Sequence, residues 1–406
     1  MPIVFRTTPT GIQQGPYSQL IVTPITNLTA TSTVAGQIVL TWSGGAGYNV
    51  QYSYAVSTGT IQSTSGTNPT TITLTSTSQI TTNVTLTETV LGGSTSAVSN
   101  SVTTINPNGT AHFAGYDSSI VNGSYTIFSY TTSKTTSNAI TFTTNSVPIY
   151  VFVVAGGGSG GGYSGGGGGA GGLLQRAITS TVSDNVSITV GAQSVNAATS
   201  NLSGSTGNDS IFTFTNQPSF SITAKGGGGG GTYNGGYPSG TNGGSGGGCT
   251  TSTGLPGTGI AGQGNNGGTC VNQQYASGGG GAGAVGGNAT ASTAGNGGTG
   301  VQINTTTLPP FAGTTYATYW WAGGGGGAAY PSGSGQGGAG GGASAGSSGT
   351  LNGTAENSAL CINAPVNENG GTNTGGGGGG DQQPNNWGGK GGSGIVLVGI
   401  PTSYVV

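Results

Sequence analysis

Groups that could act as acids, bases or metal ligands are scarce in this chain. Its 406 residues contain seven carboxylates and a single imidazole, His112. Glycoside hydrolysis needs two carboxylates that flank the scissile bond, and the sequence order suggests one loop cluster, Glu356, Glu368 and Asp381. His112 lies near Asp117, but the chain has so many serines that a Ser–His–Asp arrangement carries no information. We therefore expect no catalytic residues, no metal site and no cofactor, and hence a protein that is not an enzyme.

Three cysteines limit the thiol chemistry. Cys249 and Cys270 could join two neighbouring glycine-rich loops in a disulfide, and the alternative is three small buried thiols, Cys361 being the third. An odd number leaves at least one thiol unpaired or paired between chains. The spacing of the cysteines fits no zinc motif.

Aromatic side chains in polar loops are the best candidates for ligand contact. Aromatic faces stack on sugars and supply contact area at a low entropy cost. The alternative is that the rings cap the ends of the glycine-rich segments and shield them from water. The candidates are Tyr233, Tyr237, Tyr275, Tyr330 and Trp387.

The composition excludes several classes of protein. Glycine accounts for 91 residues, only 3% of residues are charged, and the formal net charge is -2. The five basic residues are scattered, so binding of nucleic acid through its phosphates is disfavoured. Disordered segments usually have many charges and few aromatic or β-branched residues. This chain has the opposite balance, with 16 Tyr, 9 Phe and 4 Trp, which favours β-structure.

The chain divides into three segments by sequence pattern. Residues 1–21 are a polar arm, residues 22–105 contain short alternating strands such as QIVLTW and TITLT, and residues 106–406 are glycine-rich. The N-terminus has no signal-peptide pattern, and no apolar stretch is long enough to span a membrane. We therefore expect synthesis in a cytosol and no insertion into a membrane.

The glycine runs follow predicted strands directly, as in VVAGGG, ITAKGGGGGG and YWWAGGGGG. Polyproline-II-type helices have three residues per turn, and their backbone N–H and C=O groups point outward. All-glycine helices can pack at backbone distance and satisfy these groups sideways. The pattern predicts a packed bundle with polar apical loops, including Cys249–Ser277, and a strand at Tyr319–Ala322. The runs lie mainly in residues 156–172, 226–300, 323–349 and 370–394.

Two resemblances follow from these motifs. NLTA at 27–30, LTW at 40–42 and STSAVSNSVTT at 94–104 resemble a fibronectin type III module. The order YTIFSY, VFVVAGGGSGGG, ITAKGGGGGG and GGSGIVLV resembles the glycine-rich domain of phage and giant-virus surface proteins, over residues 112–404. The second resemblance implies a tumour-necrosis-factor-like, jelly-roll-like β-sandwich that carries a bundle of polyglycine II helices. The expected fold class is all-β throughout.

The resemblance implies a structural and attachment protein on the surface of a virion, such as a fibre, a spike or a capsid-decorating subunit. The expected partners are other copies of the chain, with a trimer as one arrangement, other virion proteins through the arm, and host surface glycans through the loops. A subunit of an extracellular filament or sheath is one alternative. An ice-binding protein is another; a strict G-x-x repeat would favour it, and the glycine runs lack that regularity.

Overall fold

The computed structural model confirms the all-β class. Its elements are antiparallel strands, apart from one four-residue helix, α1 (Thr315–Thr318), and three short 3-10 segments among the described residues. The contacts divide the chain into two compact units, with the boundary between residues 110 and 111. The structure describes residues 7–8, 11–12, 24–32, 37–43, 51–56, 62–64, 71–75, 81–90, 93–103, 111–143, 147–180, 185–195, 202–216, 220–330, 333–346, 369–382 and 387–405.

The first unit contains two sheets that share one core. The strand orders are β3-β4-β7-β6 and β10-β9-β5, with two further pairs, β11-β8 and β1-β2. Alternation places Ile38 and Leu40 of β4 and Leu74 of β7 in the core, where they meet Leu86 of β9. The strands are β1 (Thr7–Thr8), β2 (Gly11–Ile12), β3 (Thr26–Thr31), β4 (Gln37–Ser43), β5 (Gln51–Val56), β6 (Gln62–Thr64), β7 (Thr71–Thr75), β8 (Thr81–Thr82), β9 (Val84–Val90), β10 (Gly93–Val98) and β11 (Val102–Thr103).

The second unit contains a sandwich of two five-stranded sheets. Their strand orders are β13-β14-β21-β16-β17 and β12-β15-β18-β19-β20, so the last strand lies between two strands from the start of the unit. Phe128, Val151, Phe212 and Val398 belong to the apolar core between the sheets. The strands are β12 (Ala111–Phe113), β13 (Ser118–Asn122), β14 (Tyr125–Tyr130), β15 (Thr135–Phe142), β16 (Pro148–Val154), β17 (Leu173–Thr179), β18 (Asn185–Thr189), β19 (Ser210–Phe214), β20 (Ser221–Ala224) and β21 (Ile395–Pro401).

The strand predicted at Tyr319–Ala322 is absent. Trp321 instead forms a single β-bridge to Val301. Its buried ring packs edge-on against Phe152 of the sandwich, with the ring centroids 5.3 Å apart. Ala322 has a φ of 58°, a left-handed conformation that turns the chain out of a strand and into the glycine run. Residues around Trp321 thus cover the outer face of the β14-β21-β16 sheet and complete a second apolar cluster.

The glycine runs leave and rejoin the sandwich through buried strands. Strand β16 ends at Val154, where a glycine run begins, and the chain returns to the sandwich at Leu173, where β17 begins. Another run starts after β20, and the last one leads into β21. A continuous apolar strand is buried on both faces, so the sandwich anchors the ends of the glycine segments firmly.

Candidate functional site

The glycine segments bond to one another with a repeat of three residues. Gly157 donates its N–H to Gly392, and Gly160 donates to Gly389, each at 2.9 Å. A step of three residues therefore returns to the same neighbouring segment, as a polyproline-II-type helix requires. We call the set of cross-bonded segments between residues 156 and 394 the glycine bundle. The same repeat joins Gly158 to Gly169 and Gly161 to Gly166, and Gly168 to Gly378 and Gly171 to Gly375.

Backbone packing leaves no room for a side chain at many glycine positions of the bundle. A Cβ added to any of several glycines in mid-run would overlap a carbonyl group of another segment. Such a substitution would both overpack the bundle and separate backbone partners. Examples are Gly157 against Gly376, Gly160 against Gly379, Gly228 against Thr241 and Gly325 against Gly378.

The predicted loop Cys249–Ser277 is not one loop. It contains two more bundle segments, residues 254–259 and 264–269, and only the turns around them are loops. Every third residue of these segments is exposed, as at Thr258 and Thr269. A three-residue repeat needs glycine only where a segment faces a neighbour, and so an outer segment tolerates a side chain at each outward position.

These segments belong to a single outer row of the bundle. We call this set the outer row: residues 239–242, 254–259, 264–269, 285–289, 294–300 and 334–339. Adjacent members are joined by Gly240 N–H to Leu255 O, Gly267 N–H to Gly257 O, Gly286 N–H to Asn266 O, Gly287 N–H to Asn296 O and Gly297 N–H to Gln336 O, at 2.6–3.0 Å.

Asparagine side chains bond to N–H groups of the outer row. The Oδ1 atom of Asn288 accepts the N–H of Thr269 at 2.9 Å, which satisfies a donor that has no further bundle segment beyond it. Three other asparagines repeat the arrangement: Asn242 accepts from Thr258 at 2.7 Å, Asn266 from Gly259 at 2.9 Å and Asn296 from Gln336 at 2.8 Å.

Two candidate tyrosines lie in one turn at the end of the bundle far from the sandwich, which we call the tip. Tyr233 stacks on Tyr163 with ring centroids 5.9 Å apart, and its N–H donates to the Tyr163 carbonyl at 3.3 Å. Tyr237 closes the turn by accepting the Thr232 N–H at 2.8 Å. Tyr233 and Tyr237 are 39% and 55% exposed.

Trp387 lies at the same end. Asp381 donates its N–H to Gly161, two residues before Tyr163, and its carboxylate accepts the Trp387 N–H at 2.7 Å. Trp387 as a whole is 62% exposed. The carboxylate thus fixes the backbone of Trp387 while the ring remains available to solvent.

Tyr275 and Tyr330 complete the set of candidates. Tyr330 donates its N–H to Gln274 O at 2.9 Å, and Ala328 donates to Gly165, next to the Tyr163 turn. Tyr330 is 48% exposed, whereas Tyr275 is half-buried. The structure therefore brings all five predicted aromatic residues to one end of the bundle.

Tyr163 belongs to this group, although the sequence analysis missed it. A tyrosine that interrupts a glycine run between two strands marks the turn where the run reverses, and that signal was present in GGGYSGGGG.

A family model for a glycine-rich domain matches residues 131–400. The chain belongs to this glycine-rich domain family. The match covers nearly all of the second unit, including the whole bundle and its tip. No curated protein matches the chain. In the part of the chain that the structure describes, no helix is both long and apolar enough to cross a membrane.

A disulfide joins Cys249 and Cys270 within the glycine-rich domain, across 6.0 Å between their Cα atoms. Ser277 bonds to the same junction, because its hydroxyl donates to Gly268 O at 2.6 Å and accepts the Cys249 N–H at 2.8 Å. The disulfide thus ties together two bundle segments just below the tip. Cys361 lies outside the described residues.

The described carboxylates of the glycine-rich domain have structural contacts. Asp209 pairs with Lys225 at 2.7 Å and accepts the Gly226 N–H at 2.9 Å, where β20 passes into its glycine run. His112 is exposed on β12. Among the described residues no three His, Cys, Asp or Glu side chains are grouped as a metal site. Glu356 and Glu368 lie outside those residues.

Asp117 caps a turn of the sandwich. Its carboxylate accepts the hydroxyl of Thr132 at 2.6 Å and the N–H of Thr131 at 2.6 Å. Partial burial raises the pKa of Asp117, but hydrogen bonds from Thr132 and Thr131 outweigh this effect and hold the pKa below its usual value. The arrangement stabilises the end of β14.

Proposed function

We propose that this chain is a non-enzymatic structural and attachment protein of a virion surface, as a fibre, spike or capsid-decorating subunit. In this proposal the glycine-rich domain projects from the particle, and its tip contacts host glycans or neighbouring subunits. The observation that carries the proposal is the gathering of Tyr233, Tyr237, Tyr330 and Trp387 at one end of the bundle, with 39–62% of each residue exposed.

The bundle supports attachment because it holds the tip in a fixed conformation. The turns that hold these rings are bonded to glycine segments on several sides, as in the bond from Asp381 to Gly161 at 3.0 Å. Binding at a preorganised surface costs less conformational entropy, because the protein groups of that surface are already ordered. Only 3% of the residues of the chain are charged, so binding rests on shape, stacking and repeated copies more than on electrostatic steering.

The first unit supports a role as a spacer. We infer that residues 22–105 form a fibronectin type III-like module, because β3-β4-β7 and β10-β9-β5 form two sheets around one core, as in a small antiparallel sandwich. In the proposal, the arm at residues 1–21 contacts other virion proteins. Copies of the chain associate as a homo-oligomer, and a trimer is one arrangement.

A glycan array with the full chain tests the attachment role. We expect binding to a subset of glycans, and we expect Tyr237→Ala and Trp387→Ala to weaken it without lowering the melting temperature. Tyr116→Ala is the matched control, because Tyr116 is an exposed ring of the sandwich. Equal losses in all three variants would argue against the tip, and an array without any binding would argue against glycan attachment.

The location is tested separately by immunogold electron microscopy with an antibody against the full chain. Labelling of the surface of intact particles is expected. The alternative, a subunit of an extracellular filament or sheath, predicts long filaments in the purified protein and labelling of fibres instead of particles.

Ice binding is a second candidate, which the outer row favours. Its exposed side chains recur at every third position and carry no charge: Leu255 and Thr258, Asn266 and Thr269, Val285 and Asn288, Asn296 and Thr299. A regularly spaced row of uncharged side chains suits the regular, uncharged surface of an ice crystal. We expect the full chain to show thermal hysteresis. Thr269→Lys should reduce it, whereas Ser119→Lys on the sandwich is the control and should not. Unshaped ice growth would exclude this candidate.

A further inference from the structure

A cavity of about 470 Å³ opens at the base of the bundle, where β17 meets residues 262–265 and 301–302. Its size lies in the range of small-molecule sites. The cavity is remote from the tip, because the bundle residues that line it lie at the end of the bundle next to the sandwich. At this end Leu173 of β17 donates its N–H to the Gln263 carbonyl at 3.0 Å. Six of its lining residues are Leu173, Gln175, Arg176, Gln263, Asn265 and Val301.

Hydrogen bonds to the backbone fix the amide side chains of this cavity. The Gln263 side chain accepts the Lys225 N–H at 2.9 Å and donates to Thr223 O at 3.1 Å. Gln175 accepts the Asn304 N–H at 2.7 Å. The walls are therefore held in place before any ligand arrives, which lowers the entropy cost of binding.

Two oxygen acceptors of the lining remain available. Asn265 uses its Nδ2 group on two carbonyls, at 2.9 and 3.1 Å, and Gln302 uses its Nε2 group on Thr318 O at 3.0 Å. Within the described residues, the Oδ1 of Asn265 and the Oε1 of Gln302 accept no hydrogen bond. Both atoms suit hydroxyl donors of a ligand.

Arg176 gives the cavity a positive charge. Its Nη1 atom donates to the Gln175 carbonyl at 2.9 Å, and the side chain is exposed and forms no ion pair with any described carboxylate. The nearby cation Lys225 is already paired with Asp209 at 2.7 Å. The remaining guanidinium donors form a planar fork that matches a carboxylate.

We propose that this cavity binds a carboxylate-bearing sugar residue, such as a uronic acid unit. The carboxylate pairs with Arg176, and ring hydroxyls donate to Asn265 and Gln302. The apolar side chains of Leu173 and Val301 contact the C–H face of the sugar. This site is independent of the tip and of the virion role, so either proposal can fail without the other.

The test is a titration of the full chain with methyl glucuronide, followed by calorimetry or by ligand-observed NMR. Methyl glucoside is the matched neutral ligand, and acetate is the carboxylate without a sugar ring. We expect the glucuronide to bind roughly tenfold more tightly than either, because the fork and the hydroxyl acceptors act together. Its affinity falls as salt rises, because the guanidinium is exposed.

Two variants and one control variant decide whether the cavity is responsible. Arg176→Gln is expected to weaken glucuronide binding roughly tenfold, while Lys390→Gln, which removes a cation outside the cavity, leaves it unchanged. Val301→Trp fills the cavity and is expected to abolish binding with the charge intact. Equal binding of glucuronide and glucoside would overturn the proposal. So would equal binding of acetate and glucuronide, or full binding by folded Arg176→Gln.

Discussion

Gly378 packs so closely on Gly389 that a Cβ at position 378 would lie 2.6 Å from the carbonyl carbon of Gly389. The backbone on both sides is fixed, because Gly378 donates to Gly158 at 2.9 Å and Gly389 donates to Gly379 at 2.9 Å. There is no flexible side chain that could move aside. Gly378 thus reports directly on the packing of the bundle.

Gly378→Val is expected to lower the free energy of unfolding by roughly 3 kcal/mol or more, through overpacking and broken backbone bonds. Chemical denaturation and thermal melting of the full chain measure the change. Gly123→Asn is the control, because a Cβ there meets nothing within 4 Å and asparagine tolerates its φ of 58°. An unchanged melting temperature for Gly378→Val would contradict the packed bundle.

Slow amide exchange is expected along residues 226–231. Gly227 and Gly230 donate to Gly156 and Ser159, and Gly228 donates to Ser245 at 2.9 Å, so these protons exchange only when the bundle opens. Hydrogen exchange followed by NMR measures the effect against the intrinsic rates of the same sequence unfolded. Exchange at those intrinsic rates would mean that the run is a flexible chain.

The strands and the anchoring of the glycine runs could be predicted from sequence. Apolar alternation in QIVLTW and TITLT predicted β4 and β7 to within one residue, because burial of one face is a local pattern. The passage from VVA or ITAK into glycine indicated ordered segments, since a flexible linker rarely starts from a buried strand. The position of the five aromatic candidates in turns could also be predicted, because the polar residues between glycine runs must form the turns.

The outer segments and Trp321 could not be predicted in the same way. Residues 254–259 and 264–269 contain Thr, Asn and Leu, and only the arrangement of neighbours shows which positions face outward. The sequence around Trp321 has β-forming residues, but packing on Phe152 overrides that preference. Both errors arise because the deciding contacts are distant in sequence.

Asn288→Ala is expected to destabilise the outer row by about 1 kcal/mol, because the Thr269 N–H loses its acceptor at 2.9 Å. The loss is modest because water can reach the exposed edge. Thr258→Ala is the control, since it shortens an exposed side chain of the same row. Thermal melting and exchange of the Thr269 amide measure the effect, and equal exchange in both variants would show that the asparagine bond contributes nothing.

Removal of the disulfide is expected to cost about 3 kcal/mol, because Cys249 and Cys270 are 21 residues apart and the bond restricts the unfolded chain. The double variant Cys249→Ala/Cys270→Ala tests this by chemical denaturation. Ser277→Ala is a useful comparison, because it removes the bonds to Gly268 and Cys249 and leaves the disulfide intact. The same stability with and without reducing agent in the parent chain would contradict the expectation.

Asp117 is expected to make stability depend on pH in the acid range. Its hydrogen bonds from Thr131 and Thr132 hold its pKa below the usual value despite partial burial. Because the pKa is lowered in the folded state, ionised Asp117 contributes fully to the free energy of unfolding above its pKa in the unfolded chain, about 3.9. This contribution is lost as the pH falls through the pKa of the folded state. Asp117→Asn should therefore be less stable than the parent near neutral pH. The difference in melting temperature should shrink once the pH falls below about 4. A difference that stays constant from neutral pH down to strongly acidic conditions would mean that ionised Asp117 does not stabilise the turn.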